Sequence, residues 1–435
     1  MSLNKSDKDV VIIVQGHKYT FFSNGIYLCA KLLDSYEIIL VVSESFRGDQ
    51  KFLKICKIMS FREVVYFDSN TFVAPEQKKR FFGINIVRQF IMQAEYSRMS
   101  QRLMLENKPI CIIQHDYIHT ENMYLFHWAD MLLDQCNKIA ILSTAPSNDR
   151  TLIGFAKMRY TRSLSLVNNI RLLGLLFSGL ISSFKLLESL IRNVLIPVLV
   201  LKCRPYFGLS RFDNIDIKPK KLQFDHFLVF ENIEECFYGN LFNDKSIVKR
   251  ILSPISNSSE LNKQIFSIKS TEDIVIFFSL TGLNGVDKSL LNSWCSFVSA
   301  LNSRYPESNI FIKVHPNFSK DLSDGMKDHV LSKCGYVKFI SNDMTDFSAE
   351  SLILNSWLVV GDSSSVLPWA TYCGKKTVLS MDVGCHENAR DMECYSEIMV
   401  FSRYDDFSKI INNIETTNLA ETQKIKLPSI RDFII

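Results

Sequence analysis

The 435-residue chain lacks most of the short signatures that mark an enzyme class. It has no G-x-x-x-x-G-K-[ST] phosphate loop and no G-x-S-x-G elbow, which sets aside P-loop ATPase and α/β-hydrolase chemistry. It has no G-x-G-x-x-G either, so a dinucleotide cofactor is not indicated. Its eleven cysteines are an odd number with no C-x-x-C pair, which favours free thiols in a reducing compartment over a disulfide framework or a zinc site. There is no low-complexity tract and no internal repeat, so disorder is not expected away from the ends. No long hydrophobic run occurs: the longest uncharged stretch of the most apolar region is Leu172 to Phe184, too short to span a bilayer. The start, "MSLNKSDKDVVIIVQG", carries charges directly before a short strand and no signal-peptide core, so the chain is expected to stay inside the cell. The formal net charge of +4 is too small to argue for nucleic acid.

That charge is unevenly placed. Residues 157–221 hold twelve Lys and Arg against three acids, a local +9, which leaves −5 for the remainder. Within them lies "IRLLGLLFSGLISSFKLLESLIRNVLIPVLVLKCR". On a helical wheel Arg171, Lys185, Glu188 and Arg192 share one polar stripe of about 100°, and Leu, Ile and Phe fill the rest. A basic, strongly apolar amphipathic helix is the composition of an element that rests on anionic headgroups without crossing. A buried or partner-binding helix is the alternative.

What the chain does have is an α/β rhythm, twice. Apolar, β-branched runs at 9–16, 36–44, 63–68, 108–116 and 138–146 alternate with helical patterns, which predicts a parallel sheet with crossover helices. The rhythm stops at the basic segment and resumes at "EDIVIFFSLTGLNGVD". The predicted architecture is α/β with two Rossmann-like domains and a cleft between them. The expected boundaries are 1–160 for an N-terminal acceptor domain, 161–225 for the amphipathic insertion and linker, 226–420 for a C-terminal nucleotide-sugar domain, and 421–435 for a tail.

Ligands of such sheets sit at the carboxyl ends of strands, and three features of the second half gather there. "IFIKVHPN" runs a strand into Lys313, His315 and Pro316. "WLVVGDSSSVLPW" runs another into Ser363, Ser364 and Ser365 just before a helix. "IVIFFSLTGLNG" carries Thr281 and Gly282 in a loop. Hydroxyls and unpaired backbone N–H groups at a helix start favour a phosphate. A histidine from a neighbouring strand can hydrogen-bond or protonate a departing phosphate oxygen. Pro316 fixes φ and turns the chain there. Each piece alone is more often a turn or a cap; their order is what is specific. Ser348 is expected to cap the helix that begins "AESLILN", and Trp369 is expected to pack rather than stack on a base.

"KVHPN" with "VVGDSSSVLPWATYCGKKTV" resembles the C-terminal domain of bacterial GT-B glycosyltransferases that use CMP-activated nonulosonic acids, the sialyl- and polysialyltransferases. Kdo transferases and CDP-glycerol polymerases are related in pattern. The resemblance covers residues 273–382. It implies inverting, metal-independent transfer, with His315 as the catalytic group at the leaving phosphate and Pro316, Ser363, Ser364 and Ser365 around the donor nucleotide. No cofactor is expected, and "DKD" at the N-terminus is the sole aspartate-x-aspartate triplet. The acidic D/E-D/E-G loop that often supplies the family's general base is absent. Asp149 ("STAPSNDRT") and Asp116 ("IIQHDYIHTEN") are the candidates for that role, with Glu121 and His17 behind them.

These readings converge on a transferase that moves a CMP-linked sugar acid to a lipid-linked surface glycan such as capsule, O-antigen or lipooligosaccharide. It would sit peripherally at the inner face of a bacterial cytoplasmic membrane. Its expected partners are a nucleotide-sugar donor, a glycan or glycolipid acceptor and an anionic membrane surface, with no nucleic acid. A UDP- or CDP-linked donor, including glycerol-phosphate transfer, is the alternative within the same fold. A sugar-nucleotide epimerase and a non-catalytic assembly protein are the other classes.

Overall fold

The computed structural model describes residues 8–16, 18–67, 95–96, 98–115, 122–141, 225–232, 234–236, 245–255, 259–266, 268, 272–278, 288–314, 320–340, 348–361, 366–380, 399–401, 406–416 and 427–434. The basic segment 157–221 lies outside them, as does nearly all of the expected insertion. Among the described residues no helix is long and apolar enough to cross a membrane.

The chain divides into two compact units. The first is built on a seven-stranded sheet. Its strands are β1 (Val10–Gln15), β2 (Glu37–Ser43), β3 (Glu63–Phe67), β4 (Cys111–His115), β5 (Asn137–Ile141), β6 (His226–Val229) and β7 (Val248–Arg250), in the order β3-β2-β1-β4-β5-β6-β7. Every neighbouring pair is parallel. Parallel strands are covered on both faces, so they need apolar side chains at every position rather than at alternate ones. β1, "VVIIVQ", is buried throughout for this reason.

The helix Ile26–Leu33 packs Ile26, Tyr27, Leu28, Cys29 and Leu32 inward. The next helix, Gln50–Met59, starts where the Asp49 carboxylate accepts from the Phe52 amide at 3.0 Å, and it stops at Ser60, whose φ of 50° is left-handed.

The second unit holds a six-stranded, all-parallel sheet. Its strands are β8 (Asp273–Phe278), β9 (Ile310–Val314), β10 (Lys338–Ile340), β11 (Ser356–Gly361), β12 (Lys376–Ser380) and β13 (Met399–Phe401), in the order β10-β9-β8-β11-β12-β13. The helix Lys288–Arg304 sets Trp294, Phe297 and Leu301 against Ile274, Ile276 and Ile312, and Ile410, Ile411 and Ile414 of the helix Phe407–Thr416 close the same core. Ser348 caps its helix as expected, its hydroxyl accepting from the Ser351 amide at 3.1 Å. Trp369 is buried among core residues.

Both sheets therefore follow the doubly wound order, with strand order reversing between β1 and β4 in the first and between β8 and β11 in the second.

Two boundaries differ from the sequence reading. β6 and β7, assigned there to the C-terminal domain, extend the first sheet, because β6 pairs in parallel with β5 across more than eighty residues of chain. Periodicity identifies a strand but not its partner. The stretch read as a tail also returns to the first unit. Ser429 and Asp432 form a capping box around the turn Ile430–Phe433, the Leu252 amide donates to the Pro428 carbonyl at 3.0 Å, and Ile430 and Ile434 are buried. Arg431 Nε donates to the carbonyl of Lys31 at 2.7 Å. A guanidinium at the last turn of the helix Ile26–Leu33 meets carbonyls that have no partner within the helix.

Candidate functional site

In the second unit the strands that precede all three sequence features are neighbours. β8 lies between β9 and β11, with Phe278 opposite Val314 and Phe277 opposite Gly361. Val314 directly precedes His315, Gly361 is followed by Asp362 and the three serines, and Phe278 precedes the loop of Thr281 and Gly282. His315, Pro316, Ser363, Ser364, Ser365, Thr281 and Gly282 themselves lie outside the described residues, as do Asp116, Asp149, Glu121 and His17. The carboxyl ends of β9, β8 and β11 meet at the strand-order reversal of this sheet, the edge where doubly wound folds bind ligands.

The described residues at that edge are tightly arranged. A Cβ added to Gly361 would stand 3.3 Å from the carbonyl oxygen of Phe277 and 3.4 Å from Leu367, so glycine lets the helix Val366–Tyr372 close onto the end of β11. Lys313, half-buried three residues before Pro316, has its ammonium pulled below the usual lysine range by burial, against the opposing attraction of Glu350. Glu350 is buried in the first turn of the helix Ala349–Asn355, whose N-terminus favours negative charge. Among the described residues no three His, Cys, Asp or Glu side chains gather as a metal would require.

The first unit presents its own reversal point, and the sequence reading passed over what stands there. Gln15 ends β1, His115 ends β4, and the two are register partners. His115 Nδ1 lies 2.5 Å from Gln15 Oε1, while Gln15 Nε2 donates to Thr20 Oγ1 at 2.6 Å. With the amide so oriented its oxygen faces the ring, so Nδ1 carries the proton and Nε2 is left as an acceptor. Burial pushes the His115 pKa down to about 3, which keeps the ring neutral at physiological pH.

The chain from Phe21 to Gly25 is a short π-helix, a form that recurs at functional sites. Gly25 is required within it. A Cβ there would stand 2.9 Å from Phe21 Cδ2 and 3.1 Å from Gln15 Oε1.

Beyond β6, Glu231 and Glu234 are both buried, and the backbone amides of Phe230 and Glu231 donate to Glu234 Oε2 at 3.1 and 3.2 Å. Burial, with Glu231 beside it, pushes the Glu234 carboxyl well above the usual range. The available signal for these residues was a polar group closing an apolar strand: Gln15 after "VVIIV", His115 after "CIIQ", Glu231 after "HFLVF".

No protein-family model matches the chain, and no curated protein matches it in sequence. Solved structures do match in fold. The UDP-GlcNAc 2-epimerase of Neisseria meningitidis, solved bound to UDP-GlcNAc, superposes with a TM-score of 0.50 at 13% identity, over 93% of this chain and 90% of that one. A further structure of a UDP-N-acetylglucosamine 2-epimerase gives 0.50 at 8% identity, over 94% and 87%. At such identities the likeness is one of fold alone: this chain has an α/β, GT-B-like fold of two Rossmann-like domains.

Proposed function

We propose that the protein is a sugar-processing enzyme of the GT-B type, a glycosyltransferase that draws on a nucleotide-activated donor bound by its second unit. The observation that carries this reading is the meeting of the β9, β8 and β11 carboxyl ends at the strand-order reversal, with the His-Pro and triple-serine sequences next along the chain. A phosphate there would meet serine hydroxyls, helix-start amides and the His315 imidazole. Lys313, held close by, adds positive charge where a diphosphate or monophosphate would leave.

A UDP- or CDP-linked donor, glycerol-phosphate transfer included, is the reading preferred. One solved structure similar in fold is itself bound to UDP-GlcNAc. A CMP-linked sugar acid is the second reading, favoured by the paired "KVHP" and "GDSSS" sequences and their order.

In either case His315 stabilises or protonates the leaving phosphate, and no metal takes part. An acceptor hydroxyl then needs a base from the first unit, for which Asp116 and Asp149 are the proposed candidates. The basic, apolar stretch 157–221 would rest on anionic headgroups and hold the enzyme near a lipid-linked glycan at a cytoplasmic membrane face.

The test is a melting series with CMP, CDP, UDP, UMP, GDP and ADP on wild type and His315→Ala. A ligand at 100 times its Kd stabilises by about 2.7 kcal/mol. A shift with UDP or CDP that weakens in the variant supports the preferred reading. A shift confined to CMP transfers support to the sugar-acid donor, and no shift with any nucleotide removes the proposal. Turnover that survives a chelator fits metal-free transfer. Interconversion of a UDP-sugar with no acceptor present would make the enzyme an epimerase instead. Binding to anionic but not to neutral vesicles, lost on deleting 157–221, tests the membrane element.

A further inference from the structure

Outside the segment 157–221 the chain is acidic, with a formal charge of −5. One short stretch of the first unit runs against that balance. Residues 47–62, "RGDQKFLKICKIMSFR", hold five Lys and Arg against one acid, a local +4. The acid is Asp49, whose carboxylate accepts from the Phe52 amide at the helix start and pairs with Lys18 at 2.7 Å. The helix Gln50–Met59 itself contains no Asp or Glu.

That helix turns Phe52, Ile55 and Met59 into the core. Its outward side follows from the same period. Leu53, Lys54, Lys57 and Ile58 are all exposed, and on a helical wheel they fall within one arc of about 140°. Leu53 neighbours Lys57, and Lys54 neighbours Ile58, each pair four residues apart. Leu53 and Ile58, at 37% and 36% exposure, are two of the five large hydrophobic side chains that stand exposed among the described residues. Alongside, Lys51 lies over the ring of Phe22 at 4.4 Å and Arg47 over that of Tyr66 at 4.5 Å, which carries the positive charge past the helix.

Two features of this face call for a partner. Lysines three apart repel each other, and the helix has no interspersed glutamate to offset it. Two aliphatic side chains also keep their surface in water between those lysines. An acidic protein or a polyanion would answer the charge alone. A bilayer with anionic headgroups answers both, because lysine stems let the ammonium groups stay among phosphates and carboxylates while shorter apolar chains sit deeper.

We propose that the outward face of the helix Gln50–Met59 docks on an anionic phospholipid bilayer, with Lys54 and Lys57 among the headgroups and Leu53 and Ile58 at the acyl boundary. This rests on the reading that the protein works at an anionic membrane face, and it gives that reading a folded element of the first unit, separate in sequence from the stretch 157–221.

The test is sedimentation of the full chain with phosphatidylcholine vesicles, with and without phosphatidylserine. Wild type is expected to bind only the vesicles that contain phosphatidylserine. Lys54→Gln with Lys57→Gln should weaken that binding by about tenfold or more, since each lysine near such a surface is worth about a factor of five. Lys327→Gln with Lys409→Gln removes the same charge from exposed positions of the second unit and should bind as wild type does. Leu53→Trp should show blue-shifted emission on the vesicles, quenched by brominated acyl chains, and no such change on heparin. Equal weakening by the two lysine pairs, no blue shift on vesicles, or the same shift on heparin would each overturn the proposal. Binding lost on deleting 157–221 but unchanged by Lys54→Gln with Lys57→Gln would leave the membrane reading standing without this helix. No vesicle binding by wild type would remove both.

Discussion

His115 is one imidazole among eight in the chain, and its burial gives it a measurable thermodynamic signature. Its folded pKa of about 3 lies below the ordinary 6.5. Below pH 6.5 the unfolded chain takes up a proton that the folded one refuses. The contribution is therefore complete above that pH and is lost as pH falls toward 3. Between pH 7 and 5.5 this amounts to about 1 kcal/mol. Urea unfolding of wild type and His115→Leu at both values should show wild type losing that much more than the variant; parallel losses would contradict the buried, neutral ring. Glu234 runs the other way. Its carboxyl is raised well above its ordinary value by burial and by Glu231, so the stability it contributes is present at low pH and lost as pH rises through the folded value. Glu234→Gln keeps an oxygen for the two backbone amides and removes the buried charge. At pH 8 it should be at least as stable as wild type, and a clear loss there would show that the ionised form is the one the fold uses.

Among the elements, the contact between β11 and the helix Val366–Tyr372 depends on a missing side chain. Gly361→Ala forces a Cβ to 3.3 Å from a backbone oxygen that cannot swing away. Overpacking of this kind costs about 1–3 kcal/mol. The shift it imposes reaches the start of the helix that follows the serines, so nucleotide affinity should fall beyond what stability explains; unchanged affinity would detach that helix from the proposed donor site. The C-terminal segment offers a second case. Ending the chain at Lys426 removes the buried side chains of Ile430 and Ile434, each worth about 1.5–3 kcal/mol, together with the Arg431 bond to the Lys31 carbonyl. The truncated protein should lose stability in the first unit, read as faster amide exchange in β4, β5 and the helix Ile26–Leu33. Exchange confined to the cut end would mean that the segment adds nothing there.

For the molecule as a whole, two separate sheets share the same doubly wound order, and the proposed nucleotide site belongs to the second. Saturation with a binding nucleotide should slow amide exchange chiefly at the ends of β8, β9 and β11 and at the start of the helix Val366–Tyr372. Protection spread evenly over both sheets would count against a donor site at that edge. Much of this frame was legible in advance. The strands of both halves stand out as unbroken apolar runs because a parallel sheet is buried on both faces, and Ser348 announced its helix by its own side chain. The carboxyl edge of the second sheet was legible because its markers follow strands directly in the chain. The pairing of Gln15 with His115 was not legible, since a lone histidine in sequence carries no sign of its partner.

Local patterns suffice for local facts: which runs become buried parallel strands, where helices are capped, and which residues follow the strand ends of the second half. These depend on side chains a few positions apart. Tertiary structure alone decided that β6 and β7 belong to the first sheet, that the last residues return to it, and that Gln15 meets a histidine one hundred positions away. The physical reason is that backbone pairing and burial act between whichever segments are brought into register, and no local pattern records that choice.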